Sequence, residues 1–163
     1  MFQHLLVPLD GSELAEVALP LATAVAKKFH SQITLISAVH LPYYIGDGLD
    51  FVTLYDTMSQ SEESESKAYL QRKQEVLMAQ GLDVDFHVVV GEPPADAILH
   101  VIDEWGIDTI VMSTHGRGGL MRWVFGSVAD KVLRNATVPV LLARVVPQQM
   151  EMAGDVTSDE AVA

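Results

Sequence analysis

Short, nearly continuous apolar runs alternate along this chain with longer stretches in which apolar residues recur every three or four positions. The first pattern suits a strand buried on both faces, and the second suits a helix laid on a sheet. His4-Leu5-Leu6-Val7-Pro8-Leu9 is the first run, and it ends at the turn sequence Asp10-Gly11-Ser12. Ser12 is placed to cap a helix predicted over 13–29, with Leu14, Val17, Ala18, Leu21, Ala24 and Val25 along one face and Glu13 and Glu16 in its first turn. Pro20 inside that stretch predicts a kink or a late effective start.

Residues 33–39 read as the second strand. The connection 41–58 that follows carries Pro42, Gly46 and Gly48 together with Tyr43, Tyr44, Phe51 and Tyr55. So long a connection has two readings, an apolar flap over a sheet edge or a lid for a ligand. Ser59 with Glu62 matches a capping box for a helix running to about Gln80, which Gly81 ends. A third strand is predicted over 84–90, a helix over 95–105, a short strand over 109–112, a last helix over 127–135 and a fifth strand from Val138 to Val146, with Pro139 near its start. The alternation predicts an α/β fold: a five-stranded parallel, doubly wound sheet with right-handed crossovers and helices on both faces. Such sheets bind ligands beyond the carboxyl ends of their strands, where the strand order reverses.

Composition narrows this picture. With 163 residues, 49% of them apolar, the chain suits one domain, expected over 1–146. The remainder, 147–163, has four acids and no base after Met150 and is expected to be a disordered acidic tail. No apolar run reaches membrane-spanning length, no signal segment is evident, and there are no cysteines, so the expectation is a cytoplasmic protein without membrane insertion, disulfides or thiolate chemistry. A net charge of −12 argues against nucleic-acid binding. Against that background Arg117, Arg122, Lys131 and Arg134 face the single acid Asp130 between Ser113 and Arg134. They either attract a small anion or merely offset a helix dipole.

The chemistry is concentrated in Met112-Ser113-Thr114-His115-Gly116-Arg117-Gly118-Gly119 and in Gly126-Ser127-Val128, which follow a buried strand and open a helix. Small residues let main-chain N–H groups approach phosphate oxygens, and a helix start favours an anion. A glycine-rich turn that touches no ligand is the competing reading. Neither a Gly-Lys-Ser/Thr phosphate loop nor G-x-G-x-x-G after the first strand is present, which argues against Walker-type ATPases and dinucleotide dehydrogenases. The six histidines are scattered without zinc-site spacing, and His115 alone sits beside the loop.

The opening Leu6-Val7-Pro8-Leu9-Asp10-Gly11-Ser12, the central Gly91-Glu92-Pro93, the loop Ser113-Thr114-His115-Gly116-Arg117-Gly118-Gly119 and the ending Gly126-Ser127-Val128-Ala129 to Val138-Pro139-Val140-Leu141-Leu142 resemble universal stress proteins, in the same order and over nearly everything but the tail. The resemblance implies a Rossmann-like sheet of the adenine nucleotide α-hydrolase type, with strand order 3-2-1-4-5. It also implies ATP as ligand, with or without magnesium, and a homodimer joined through the strand 138–146. In the family's ATP-binding branch a glycine, two residues, a second glycine, nine residues and a glycine with serine or threonine follow one another. Gly116, Gly126 and Ser127 match, but Ser113 stands where the first glycine would be. Carried over, the resemblance puts Pro8, Asp10 and Val39 around adenine and ribose, Met112, Ser113 and Gly116 along the ribose and α-phosphate, and Gly126, Ser127 and Val128 at the outer phosphates. Arg117 is the side chain expected to counter phosphate charge, and Asp10 either orients ribose or a magnesium-bound water or simply forms its turn.

The functional expectation is an ATP-binding, dimeric regulatory module of the stress response, with slow hydrolysis or none. The alternatives are a slow ATPase or phosphotransferase and a nucleotide-independent interaction protein. No catalytic residue and no protein-held metal is assigned.

Overall fold

A computed structural model describes residues 1–41, 49–116 and 126–144, with backbone alone at 49–53. The apolar runs form five strands, β1 (His4–Pro8), β2 (Gln32–Val39), β3 (Asp83–Val90), β4 (Thr109–Ser113) and β5 (Val140–Ala143). All pair in parallel, in the order β3-β2-β1-β4-β5. The chain thus builds outward from β1 to β3 and returns to β4 on the other side of β1. The point of reversal lies between β1 and β4.

Between the strands run α1 (Glu13–Glu16), α2 (Ala18–Phe29), α3 (Leu49–Met78), α4 (Pro94–Glu104) and α5 (Ser127–Asn135). The side-chain alternation of β1 divides the core. Leu5 and Val7 pack with Ala18, Ala22, Leu70 and Leu77 on one face. Leu6 packs with Ile98, Val101, Ala129 and Val132 on the other. Helices cover both faces, and β1 and β4 are buried between them.

Several boundaries differ from the sequence expectation. Ser12 does cap α1, its Oγ accepting from Ala15 N–H at 3.2 Å, but the helix breaks at Val17 and restarts at Ala18. Pro20 then falls in the first turn of α2, where its missing N–H would have had no intrahelical partner. α3 begins at Leu49, so Ser59 lies inside the helix and caps nothing, and the expected connection 41–58 is helical from Leu49 onward. Of that connection, 42–48 lies outside the described residues. β5 is shorter than expected, starting after Pro139, with Val145 and Val146 outside the described residues. So is the tail.

Half-buried Glu16 ties α1 to α3, accepting from Tyr69 Oη at 2.9 Å and Lys73 Nζ at 2.6 Å. The two rims of the sheet differ. Exposed Asp83, Asp85 and His87 line β3, whereas Val140, Leu141 and Leu142 of β5 are only half-buried and carry no charge.

At the amino edge, Asp108 fastens the starts of β1 and β4 together. Its Oδ2 accepts from Gln3 N–H at 2.8 Å and its Oδ1 from the Thr109 hydroxyl at 2.9 Å. Burial pushes this carboxyl up, but the hydrogen bonds from Gln3 and Thr109 and the His4 backbone outweigh it, leaving it below the ordinary aspartate value. A carboxyl depressed by folding stabilises the fold above its unfolded value and loses that contribution as pH falls through its folded one. Asp108→Asn should therefore lower stability at neutral pH, and its deficit relative to wild type should shrink as urea titrations move below about pH 4. A deficit unchanged with pH would contradict this role.

Candidate functional site

The crevice at the reversal point is built from the carboxyl ends of β1, β2 and β4 and from the start of α5. Leu9 N–H donates to Ile36 O at 2.8 Å, carrying the β1–β2 ladder one residue past Pro8. The chain then turns at Asp10, whose Oδ1 accepts from Ser12 N–H at 3.0 Å and from the Ser12 hydroxyl at 2.6 Å. This is the aspartate turn that the Asp-Gly-Ser sequence predicts. It also aims the other carboxylate oxygen across the reversal point, toward Gly116. A Cβ placed on Gly116 would fall 3.3 Å from Asp10 Cγ and closer still to Oδ2. Any side chain there would have to displace the Asp10 carboxylate, which Ser12 holds by its other oxygen, so the close approach favours glycine.

At the end of β4, Met112, Ser113 and Thr114 are buried and Gly116 is half-buried. Thr114 N–H donates to Ala143 O at 3.0 Å, extending the β4–β5 ladder, and Thr114 O accepts from Gly126 N–H at 2.9 Å. The backbone at Thr114 therefore meets the backbone at the head of α5 directly. Gly126 is the N-cap of α5, extended at φ −55° and ψ 150°, and among the described residues no side chain caps the helix. The N–H groups of Ser127, Val128 and Ala129 thus open a helix start without a side-chain acceptor, at the positive end of its dipole. Ser127 is exposed and Val128 half-buried against the α4 face of the core.

Of the residues singled out in the sequence, Pro8, Asp10, Val39, Met112, Ser113, Gly116, Gly126, Ser127 and Val128 fall at this one edge of the sheet. Val39 ends β2 and is buried, its carbonyl accepting from Gly91 N–H at 2.9 Å. Met112 belongs to the core, packed with Leu6 and Ile36. Arg117 lies outside the described residues, as does Arg122. The other two bases of the cationic stretch answer to carboxylates. Lys131 Nζ lies 2.7 Å from Asp96, and Arg134 Nε lies 2.9 Å from Asp130. The hydrogen bond from Arg134 holds the Asp130 carboxyl below its ordinary value and raises the guanidinium in turn. Arg134, in the last turn of α5, sits where the helix-offset reading expects a base, whereas Lys131 bridges to Asp96 of α4, which neither reading anticipated.

The main-chain account also needs revision at Gly126, whose N–H is spent on Thr114 O. The amides left without a described acceptor are those that follow it. Thr114 and Ser12 were not singled out as site residues, although both organise the crevice. Ser12 was legible in the Asp-x-Ser turn, while nothing in the sequence marked the Thr114 carbonyl. His115 Nδ1 lies 3.0 Å from the Thr114 hydroxyl, next to the crevice. Among the described residues no group of three or more metal-ligating side chains occurs, and no helix is long and apolar enough to cross a membrane.

A model of the universal stress protein family matches residues 1–144. Universal stress protein MJ0531 of Methanocaldococcus jannaschii is 28% identical over 144 residues, which cover 88% of this chain and 83% of that protein. Universal stress protein UspA from Lactobacillus plantarum superposes with a TM-score of 0.76 at 23% identity, covering 88% of this chain and 98% of that one. The universal stress protein from Archaeoglobus fulgidus in complex with dAMP superposes with a TM-score of 0.59 at 23% identity, covering 86% of this chain and 96% of the other.

Proposed function

The chain belongs to the universal stress protein family, and we propose that it is an adenine-nucleotide-binding member of it, with ATP as its ligand, working as a homodimeric regulatory module in the cytoplasm. The domain in this reading spans 1–146, with the acidic 147–163 outside it. One observation carries the nucleotide reading: an uncapped helix start, α5, opens onto the reversal point between β1 and β4. Free first-turn amides and the helix dipole suit phosphate, and the crevice beyond the strand ends suits the nucleoside. The Archaeoglobus neighbour holding dAMP supports adenine as the base.

Ligand roles follow from position. Pro8, Asp10 and Val39 surround adenine and ribose, the backbone at Met112, Ser113 and Gly116 borders the ribose and first phosphate, and Ser127 and Val128, with Gly126 as the cap residue before them and with Arg117, hold the outer phosphates. Magnesium, where it accompanies ATP, is held chiefly by phosphates and water, with Asp10 the carboxylate set against Gly116. A regulatory role fits better than rapid turnover, because Asp10 Oδ1 is occupied by Ser12 and His115 Nδ1 meets the Thr114 hydroxyl. One oxygen of the first and one ring nitrogen of the second are thus engaged within the protein, which leaves less of each for general-base work. The edge strand β5 offers uncharged, half-buried residues for pairing with a second copy.

Mass spectrometry of the purified, denatured protein should release an adenine nucleotide, and calorimetry on protein stripped of it should show ATP bound in preference to GTP. Protein that yields no adenine compound and shows no binding heat at millimolar ATP would leave only the nucleotide-independent interaction protein.

A further inference from the structure

Ser113 departs from the glycine of the resembling motif, and its surroundings say what the hydroxyl does instead. The residue is 5% exposed at the buried end of β4. Its Oγ accepts from His115 N–H at 3.2 Å, closing a turn of the serine type over two residues. On either side of that bond the backbone is fixed at Thr114, whose N–H donates to Ala143 O at 3.0 Å and whose carbonyl accepts from Gly126 N–H at 2.9 Å. The Ser113 hydroxyl is therefore turned into the protein, where it shapes the two residues that lead to Gly116. It is poorly placed to touch a ribose or phosphate in the crevice.

We propose that Ser113 is a positioning residue of the nucleotide site, an inference that rests on the adenine-nucleotide reading above. By bonding the His115 amide, its hydroxyl fixes the turn that sets Gly116 against Asp10 and presents the Thr114 carbonyl to Gly126. The β1–β4 side of the crevice and the head of α5 are thereby held together before nucleotide arrives. A site already ordered loses less conformational freedom on binding than one the ligand must order. Alanine or glycine at 113 removes this acceptor from the His115 amide and loosens the turn.

The test compares full-length wild-type protein with Ser113→Ala, Ser113→Gly and Ser113→Thr, using calorimetry with AMP and with ATP, and amide hydrogen exchange read at His115. Ser113→Ala and Ser113→Gly are each expected to weaken both nucleotides about tenfold, the effect of one lost hydrogen bond. The His115 amide should lose protection in both. Ser113→Thr keeps an equivalent oxygen and should retain affinity and protection; if the extra methyl prevents folding, the alanine and glycine variants decide alone. Wild-type affinity, or tighter binding, in Ser113→Ala and Ser113→Gly would overturn the inference while leaving the nucleotide reading intact. A wild-type protein that binds neither nucleotide would overturn both.

Discussion

Gly126→Asp is expected to fold as stably as the wild type, or slightly more so, and yet to bind adenine nucleotide at least ~100-fold more weakly, the loss of one or two charge-assisted hydrogen bonds. The backbone at Gly126 is extended, at φ −55° and ψ 150°, a conformation any residue adopts. A Cβ there would meet Thr114 O at 3.4 Å and His115 Cα at 3.7 Å, ordinary contact that needs little rearrangement. Aspartate is a favoured N-cap, and its carboxylate would accept from the amides of Val128 or Ala129, in place of the cap that α5 lacks. The gain over glycine is a few tenths of a kcal/mol. Those same amides are the proposed phosphate donors, so the variant fills its own anion site and adds a like charge. Gly126→Ala brings only a methyl group and should weaken binding far less. Calorimetry and urea unfolding on the three proteins give the comparison. Undiminished affinity in Gly126→Asp would remove the phosphates from the head of α5.

The largest effect on stability is expected from Leu70→Ala. α3 is thirty residues long, but from Leu54 onward only Leu70 and Leu77 are buried. Leu70 is fully enclosed at 0% exposure, packed with Leu5, Leu35 and Val84 of the sheet. Truncating it removes buried methyls and leaves a cavity at the helix's main anchor, a cost of about 2–5 kcal/mol. That is a large share of the ~5–15 kcal/mol that holds a domain together. Leu54→Ala is the control: at 56% exposure on the same helix it should cost less than about 0.5 kcal/mol. Urea midpoints lowered equally by the two changes would mean that α3 is not anchored where the burial pattern puts it.

That same sparse anchoring explains which parts of the fold were legible. The strands stood out because a parallel sheet covered on both faces demands unbroken apolar runs such as Leu5-Leu6-Val7 and Thr109-Ile110-Val111-Met112. The last helix was found at both ends, its start marked by Gly126-Ser127 and its buried Ala129 and Val132 three apart. The start of α3 was missed because Pro42, Gly46 and Gly48 gave 41–58 the composition of a connection, and of its described early residues Leu54 and Met58 are exposed. Ser59 and Glu62 then imitated a capping box within a helix already under way. The break at Val17 was half legible: Pro20 signalled a late start, but not that Ser12 would still close a separate turn of helix ahead of it.

At the crevice, the positions at the sheet edge were legible from turn chemistry and glycine spacing, and the bonds between them were not. Local sequence does not show that the Thr114 carbonyl would take the Gly126 amide, or that Ser113 would turn its hydroxyl inward. Both depend on where β5 and α5 return in space. The basic stretch was similarly ambiguous until Lys131 and Arg134 were seen against Asp96 and Asp130.

The unlike rims of the sheet limit how copies of this chain would add to one another. Two copies joined at β5 would turn outward only their β3 rims, each studded with Asp83 and Asp85, and two such rims repel when aligned. Growth would then halt at the pair, because the proposed association would close on itself and offer no seed for a filament.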